Sequence, residues 1–365
     1  MGRLTTRQLA RKRDRQNRFN PRAELQPGDM LQERYRVVGM LGVGGMSSVY
    51  QARDMRFPTV TKLCAVKEMV IATSDPQLRQ LTIKSFEREA SMLAMLDHPA
   101  IPDVSDYFTD GNRSYLVQEL IRGKNLQEWL EETEAYITQE MALDWSLQVC
   151  EALAYLHGQK PQPIVFRDLK PSNIMLDQYD RIRLIDFGIA KIFEAEENKG
   201  TMIGTEGYSP PEQYRGEATP AVDIYALGAT LHHLMTRQDP RLEAPFTFSE
   251  RPIHASNPHI SRAFEAIVMR CLSYNPLDRF PDAMALREAL ELIAQPAPSQ
   301  AAIDKLVAPK TTTGSPPIAQ PQQHQPTITA VTTAIQVGAT QAEPIWSFKC
   351  EDESRSKALV SEGRV

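Results

Sequence analysis

Cysteine is scarce in this chain. Its four cysteines among 365 residues, Cys64, Cys150, Cys271 and Cys350, never fall at a CxxC spacing. That excludes a cysteine zinc site and a disulfide framework, and it fits a reducing cytoplasm. Long hydrophobic runs are missing too: nothing approaches the roughly 18–20 apolar residues that span a bilayer. The N-terminus is basic but has no apolar core behind it, so a secretory signal is not expected. A net charge of only −5 argues against nucleic acid as the main partner. What remains is 42% hydrophobic and 24% charged, the make-up of a globular protein with one large or two small cores.

Composition divides the chain. Residues 1–32 hold Arg3, Arg7, Arg11, Arg13, Arg15, Arg18 and Arg22 with few large apolar side chains. They read as a disordered solvated arm, or as an arm that docks on anionic lipid or an acidic partner. Residues 33–294 carry the apolar periodicity of a folded domain. Residues 295–343, rich in Pro, Gln, Thr and Ala, read as a flexible linker. In 344–365, Trp346-Ser347-Phe348 and the short run after it resemble the start of a quinoprotein-type β-propeller repeat. One such unit cannot bury its own face, so the resemblance implies a truncated repeat array. A chance match in a flexible tail is the other reading.

The densest chemistry lies in Phe166-Arg167-Asp168-Leu169-Lys170-Pro171-Ser172-Asn173, followed thirteen residues after Asn173 by Asp186-Phe187-Gly188. Two carboxylates, an amide and a lysine share one short stretch. Phosphoryl transfer from a metal-bound nucleotide needs such a set: one carboxylate takes the substrate hydroxyl proton, and a second holds Mg²⁺ together with the amide. In order and spacing the stretch resembles the protein kinase family, in its bacterial Hanks-type serine/threonine branch. The resemblance implies an α+β bilobal fold. Its N-lobe (33–120) would be a five-stranded antiparallel sheet plus one long helix, and its C-lobe (121–294) mostly helical. It also implies ATP and Mg²⁺ or Mn²⁺ as cofactors and proteins as substrates. By the same resemblance Asp168 is the proton acceptor, Lys170 neutralises the migrating phosphoryl group, and Asn173 and Asp186 ligate the metal.

Upstream, Leu41-Gly42-Val43-Gly44-Gly45-Met46-Ser47-Ser48-Val49-Tyr50 resembles a kinase glycine-rich loop with Ser47 in place of the third glycine. Such glycines let backbone N–H groups approach phosphate oxygens. A glycine loop also opens dinucleotide-binding folds, but there a helix follows directly. Here the β-rich run Leu63-Cys64-Ala65-Val66-Lys67 follows instead, which is the kinase order. A helix is expected from Ser74 to Leu96, capped by Ser74 or Asp75 with Pro76 in its first turn. Glu89 falls in its apolar stripe with Phe86, Leu93 and Leu96. A carboxylate there needs a partner, and Lys67 is the expected one. The alternative is a boundary residue reaching water.

Phe166 stands where the family has histidine, so the resemblance implies an all-apolar column of Leu93, Val104, Phe166 and Phe187. Glu212 is expected to pair with Arg279, and Asp223 to accept N–H groups of the catalytic loop; a plain helix N-terminal carboxylate is the simpler reading of Asp223. Lys170 and Thr205 point to serine or threonine as acceptor. Arg167 and Lys191 are expected to pair with phosphate on Thr201, added by autophosphorylation through self-association. Backbone groups of Glu119 and Ile121 would read adenine, with Val49 and Ala65 enclosing its ring and Gln118 at the entrance. A catalytically inactive scaffold and a small-molecule kinase are the competing functional classes.

Overall fold

The structure is a computed structural model, described here over residues 24–43, 47–71, 75–187 and 205–294. The linker and propeller readings of 295–365 lie outside the described residues.

The N-terminal half is one antiparallel sheet. Its strands are β1 (Met30–Leu31), β2 (Tyr35–Val43), β3 (Ser47–Asp54), β4 (Leu63–Val70), β5 (Val104–Asp110) and β6 (Arg113–Glu119), in the spatial order β1-β2-β3-β4-β6-β5. That is one strand more than expected. The addition, β1, comes from the residues assigned to the basic arm. Met30 pairs with Arg36 and Leu31 with Tyr35, and Leu31 is buried beside Tyr35 and Val37. A two-residue strand has no periodicity to read. The ordered fold therefore reaches back through Leu25, which packs on the same cluster.

Alternation along β4 decides what each face of the sheet holds. Cys64 and Val66 join Val37, Tyr50, Ala52, Tyr115 and Val117 in an apolar cluster on one face. Ala65, Lys67 and Met69 point to the other face, where Met69 and Leu116 join the main core. Register then places Val49 opposite Lys67 and Gln118 opposite Ala65. So Val49, Ala65, Lys67 and Gln118 share one face. Buried Glu68 goes the opposite way and accepts from Arg113 Nη1 at 2.6 Å and from the Tyr115 hydroxyl at 2.9 Å.

Helix α1 (Pro76–Leu93) crosses the core side of this sheet. Asp75 is its cap, accepting from Gln77 N at 2.8 Å, and Pro76 fills the first turn as expected. Beyond the 120–122 connection lie the short strands β7 (Gly123–Asn125), β8 (Ile174–Asp177) and β9 (Ile182–Leu184), which form a small antiparallel sheet. The helices around them are α2 (Leu126–Glu132), α3 (Gln139–His157), α4 (Pro220–Thr236), α5 (Ile253–Ser256), α6 (Arg262–Cys271) and α7 (Ala283–Ala294). Helix α4 is buried on all sides from Val222 to Thr236, which makes it the axis of the helical half. At Gly228 an added Cβ would lie 2.7 Å from Cys271 Cβ, so glycine is what lets α6 approach α4.

Candidate active site

Three segments converge beneath the strand that carries Lys67: the loop after α3, the residues after β9, and the stretch entered at Thr205. The loop is hung on α4. Asp223, in the first turn of that helix and fully buried, accepts Phe166 N–H and Arg167 N–H, each at 2.8 Å. His157 Nε2 lies 2.8 Å from the same carboxylate. A buried carboxylate requires such partners, and these fix the backbone on which Asp168 stands. Arg167 takes a left-handed backbone (φ 68°), and its carbonyl accepts from Gln213 Nε2 at 2.9 Å. The loop-anchoring role of Asp223 is thereby observed, in addition to its helix N-terminal position.

Asp168 sits within a closed set of donors. Thr205 Oγ1 donates to its Oδ1 at 2.6 Å, and Lys170 Nζ and Asn173 Nδ2 each lie 3.0 Å from its Oδ2. Lys170 Nζ also donates to Thr205 Oγ1 at 2.9 Å, so one hydroxyl bridges lysine and aspartate. Asn173 Nδ2 further donates to the Asp168 carbonyl at 2.8 Å, and Ile185 N–H donates to Asn173 O at 2.9 Å. That last bond brings Asn173 alongside Asp186, which also has a left-handed backbone (φ 58°). Across the cleft Lys67 Nζ meets Asp186 Oδ1 at 2.9 Å.

The structure thus unites Lys67, Asp168, Lys170, Asn173, Asp186 and Thr205. The Glu89 side chain, Gly44, Gly45, Thr201 and Lys191 lie outside the described residues, so Lys67 is seen with Asp186 only. Leu41 and Gly42 lie on exposed β2 residues just before the undescribed turn. The apolar column is present: Phe166 and Phe187 have ring centroids 4.8 Å apart, in one core with Leu93 and Val104. Arg279 and Glu212, both buried, form a forked ion pair in which Nη2 donates to Oε2 at 3.0 Å. Glu119 N–H donates to Asp103 O at 2.8 Å, and its carboxylate forms an ion pair with Arg183.

Sequence reading missed His157, Gln213 and Arg183. Each acts through a partner remote in the chain, and the one local signal was a histidine at the end of helix α3. In the stretch entered at Thr205, the Tyr208 hydroxyl lies 2.6 Å from His233 Nδ1. Burial raises the phenol and pushes the imidazole down to about 4, so Tyr208 donates and His233 stays neutral.

Residues 35–290 match the family model described as a protein kinase domain. The chain belongs to the protein kinase family. It is 31% identical over 274 residues to serine/threonine-protein kinase B of Synechocystis, spanning 72% of this chain and 47% of that one. It is 32% identical over 274 residues to serine/threonine-protein kinase PknA of Nostoc, 72% of this chain and 48% of that one. The chain therefore spans about half the length of the curated relatives it matches. Among solved structures, the Mycobacterium tuberculosis PknI kinase domain superposes with a TM-score of 0.57 at 27% identity, covering 73% of this chain and 99% of that domain. The apo form of PpkA-294 has a TM-score of 0.63 at 22% identity over 73% of this chain and 99% of that one, which speaks to the fold alone. The expected bilobal architecture and its bacterial relatives are both borne out.

Proposed function

We propose that this chain transfers the γ-phosphoryl group of ATP to serine or threonine hydroxyls of proteins. The observation that carries the reading is the Lys170–Thr205–Asp168 bridge. A threonine hydroxyl donating to the catalytic carboxylate fixes its orientation, and the lysine beside it puts a cation where phosphoryl charge would develop. Asp168 supplies the carboxylate at the centre of this set. It accepts the proton of the incoming hydroxyl as that oxygen bonds to the γ-phosphorus, while the bond from phosphorus to the bridging oxygen breaks and ADP leaves.

The residues present fit Mg²⁺. Asn173 spends its Nδ2 on Asp168 and leaves Oδ1, a hard oxygen donor with only a long 3.4 Å contact from the Ser172 hydroxyl, for the metal, while Asp186 supplies a carboxylate. Magnesium is held by one or two such groups plus substrate phosphates, and when bound it neutralises phosphate charge. Val49, Ala65 and Gln118 share the face of Lys67, which supports an adenine site between that face and the backbone at Glu119 and Ile121.

Phosphate on Thr201, added by a second copy of the chain and paired with Arg167 and Lys191, is the regulatory part of the proposal; Thr201→Ala should lower the activity of protein preincubated with ATP. Among the described residues no helix is long and apolar enough to cross a membrane. Buried unpaired Cys64, Cys150 and Cys271 support a reducing, cytoplasmic setting.

Transfer of the labelled γ-phosphoryl group to a basic protein tests the activity. Labelling should vanish in Asp168→Asn and in Lys67→Met while both variants keep their helical circular dichroism. Wild-type protein that binds ATP yet labels nothing would establish the scaffold reading instead.

A further inference from the structure

A cleft of the helical half lies away from Asp168, Lys170, Asn173 and Asp186. It has a volume of about 650 Å³ and opens between β7, α2, the start of α3 and the β8–β9 turn. Its floor is apolar: Trp129, Met141, Trp145 and Leu176, with the two indoles edge to face at 5.7 Å. Its rim is acidic: Glu140 and Asp144 from α3, Asp177 and Asp180 from the turn. None of these four carboxylates forms an ion pair among the described residues. Asp144 accepts only from the Gln148 amide, and Asp177 only from backbone N–H groups. Lys124, the one cation among the described residues that line it, is already paired with Glu132. An apolar floor under uncompensated negative charge suits a ligand that is cationic and carries an apolar anchor. Arginine meets both demands, because its planar fork matches carboxylates and stacks on indole faces.

The chain itself contains such a segment. Residues 1–23 hold Arg3, Arg7, Arg11, Arg13, Arg15, Arg18, Arg22 and Lys12 against the single acid Asp14. Leu4, Leu9 and Phe19 are interspersed among them. The whole chain has a net charge of −5, so this excess is confined to one end of an otherwise acidic protein. Reach is sufficient. From Glu24, 23 residues extend up to roughly 75 Å, beyond the width of about 50 Å expected for a domain of this size.

We propose that the cleft is a docking site for the chain's own arginine-rich segment 1–23, with arginines on the acidic rim and an apolar side chain of the segment on Trp129 and Trp145. The site is separate from the phosphoryl-transfer groups and does not depend on the activity proposed for them.

Photo-crosslinking of the full-length chain tests this directly. A benzophenone amino acid replaces Leu4, whose roughly twenty residues from Glu24 span up to roughly 65 Å, and adducts are mapped by peptide mass spectrometry. Adducts should fall on the peptides that contain Trp129, Met141 or Trp145, within one chain, and should weaken at 0.5 M NaCl (roughly a threefold shorter Debye length than at low salt). The double variant Glu140→Lys, Asp144→Lys should reduce their yield about tenfold, the loss expected when two partly exposed ion pairs are reversed. A mixture of isotope-labelled and unlabelled chains separates internal from intermolecular adducts. Adducts that map elsewhere, that survive the charge reversal, or that join two chains would each overturn the proposal. Adducts to anionic vesicles in place of the cleft would make the arm a membrane anchor and would equally overturn it.

Discussion

Thr205 Oγ1 donates to Asp168 Oδ1 at 2.6 Å although 37 residues separate them. The bond ties the stretch entered at Thr205 to the carboxylate proposed as proton acceptor, and Lys170 completes it from the other side. Thr205→Val keeps the shape but removes the bridging hydroxyl. Its kcat should fall about a hundredfold, the usual cost of one lost active-site donor. Thr205→Ser should retain most activity. Equal losses in both variants would show that the methyl contact matters and the hydroxyl does not.

Asp223→Asn tests the suspension of the catalytic loop. The amide offers one acceptor oxygen where the carboxylate accepts two backbone N–H groups, and its Nδ2 would face a donor. Stability should drop by about 2–4 kcal/mol. The misplaced Asp168 should lower kcat by about a hundredfold, with the KM for ATP little changed because Lys67 sits on the other lobe. Steady-state kinetics together with urea unfolding separate the two effects.

The Glu212–Arg279 pair is structural. Both side chains are buried, and the guanidinium also donates to Ser273 O at 2.8 Å, Ala221 O at 3.0 Å and Tyr274 O at 3.2 Å. Arg279→Met or Glu212→Leu alone should destabilise by about 3–5 kcal/mol, because each strands a buried charge. The double variant should recover part of that loss. A shift in urea midpoint at constant m-value is the readout; strictly additive losses would mean that the two residues are not coupled.

His232 and His233 make stability depend on pH. Burial is the main cause that pushes both imidazoles down to about 4. Around them, Arg251 O lies 2.7 Å from His232 Nε2, Tyr208 faces His233, and Asp239, Arg237 and Arg241 lie nearby. Unfolded histidine titrates near 6.5. Between roughly pH 6.5 and 4 the unfolded chain therefore binds protons that the folded chain refuses, so stability falls as pH falls. At pH 5 the loss is about 2 kcal/mol per histidine. His233→Gln should remove its share of the slope between pH 7 and 5; an unchanged slope would show that other groups control it.

Much of the site was legible beforehand because its chemistry is local. Asp168, Lys170 and Asn173 lie within six positions, and the structure closes them into one hydrogen-bonded set. Phe166 was expected to pack in an apolar column, and it does. Strand β1 was missed because two residues carry no alternation, and what holds them is pairing with β2 and burial of Leu31. His157 and Gln213 were missed because a single polar residue gives no hint of which distant backbone it will meet.

By itself the sequence determined the order of the candidate site residues, the alternation that puts Ala65 and Lys67 on one face, and the cap and first-turn proline that start α1. These are near-neighbour properties, set by side-chain period and local hydrogen bonding. Family resemblance anticipated Asp223 with the loop after α3 and Arg279 with Glu212; tertiary structure alone decided that Lys67 meets Asp186 in this conformation, and that His157 and Gln213 brace the loop. It also decided that four carboxylates surround an indole floor on the helical half. A charge taken out of water must find its partner in space, and distance along the chain does not specify that partner.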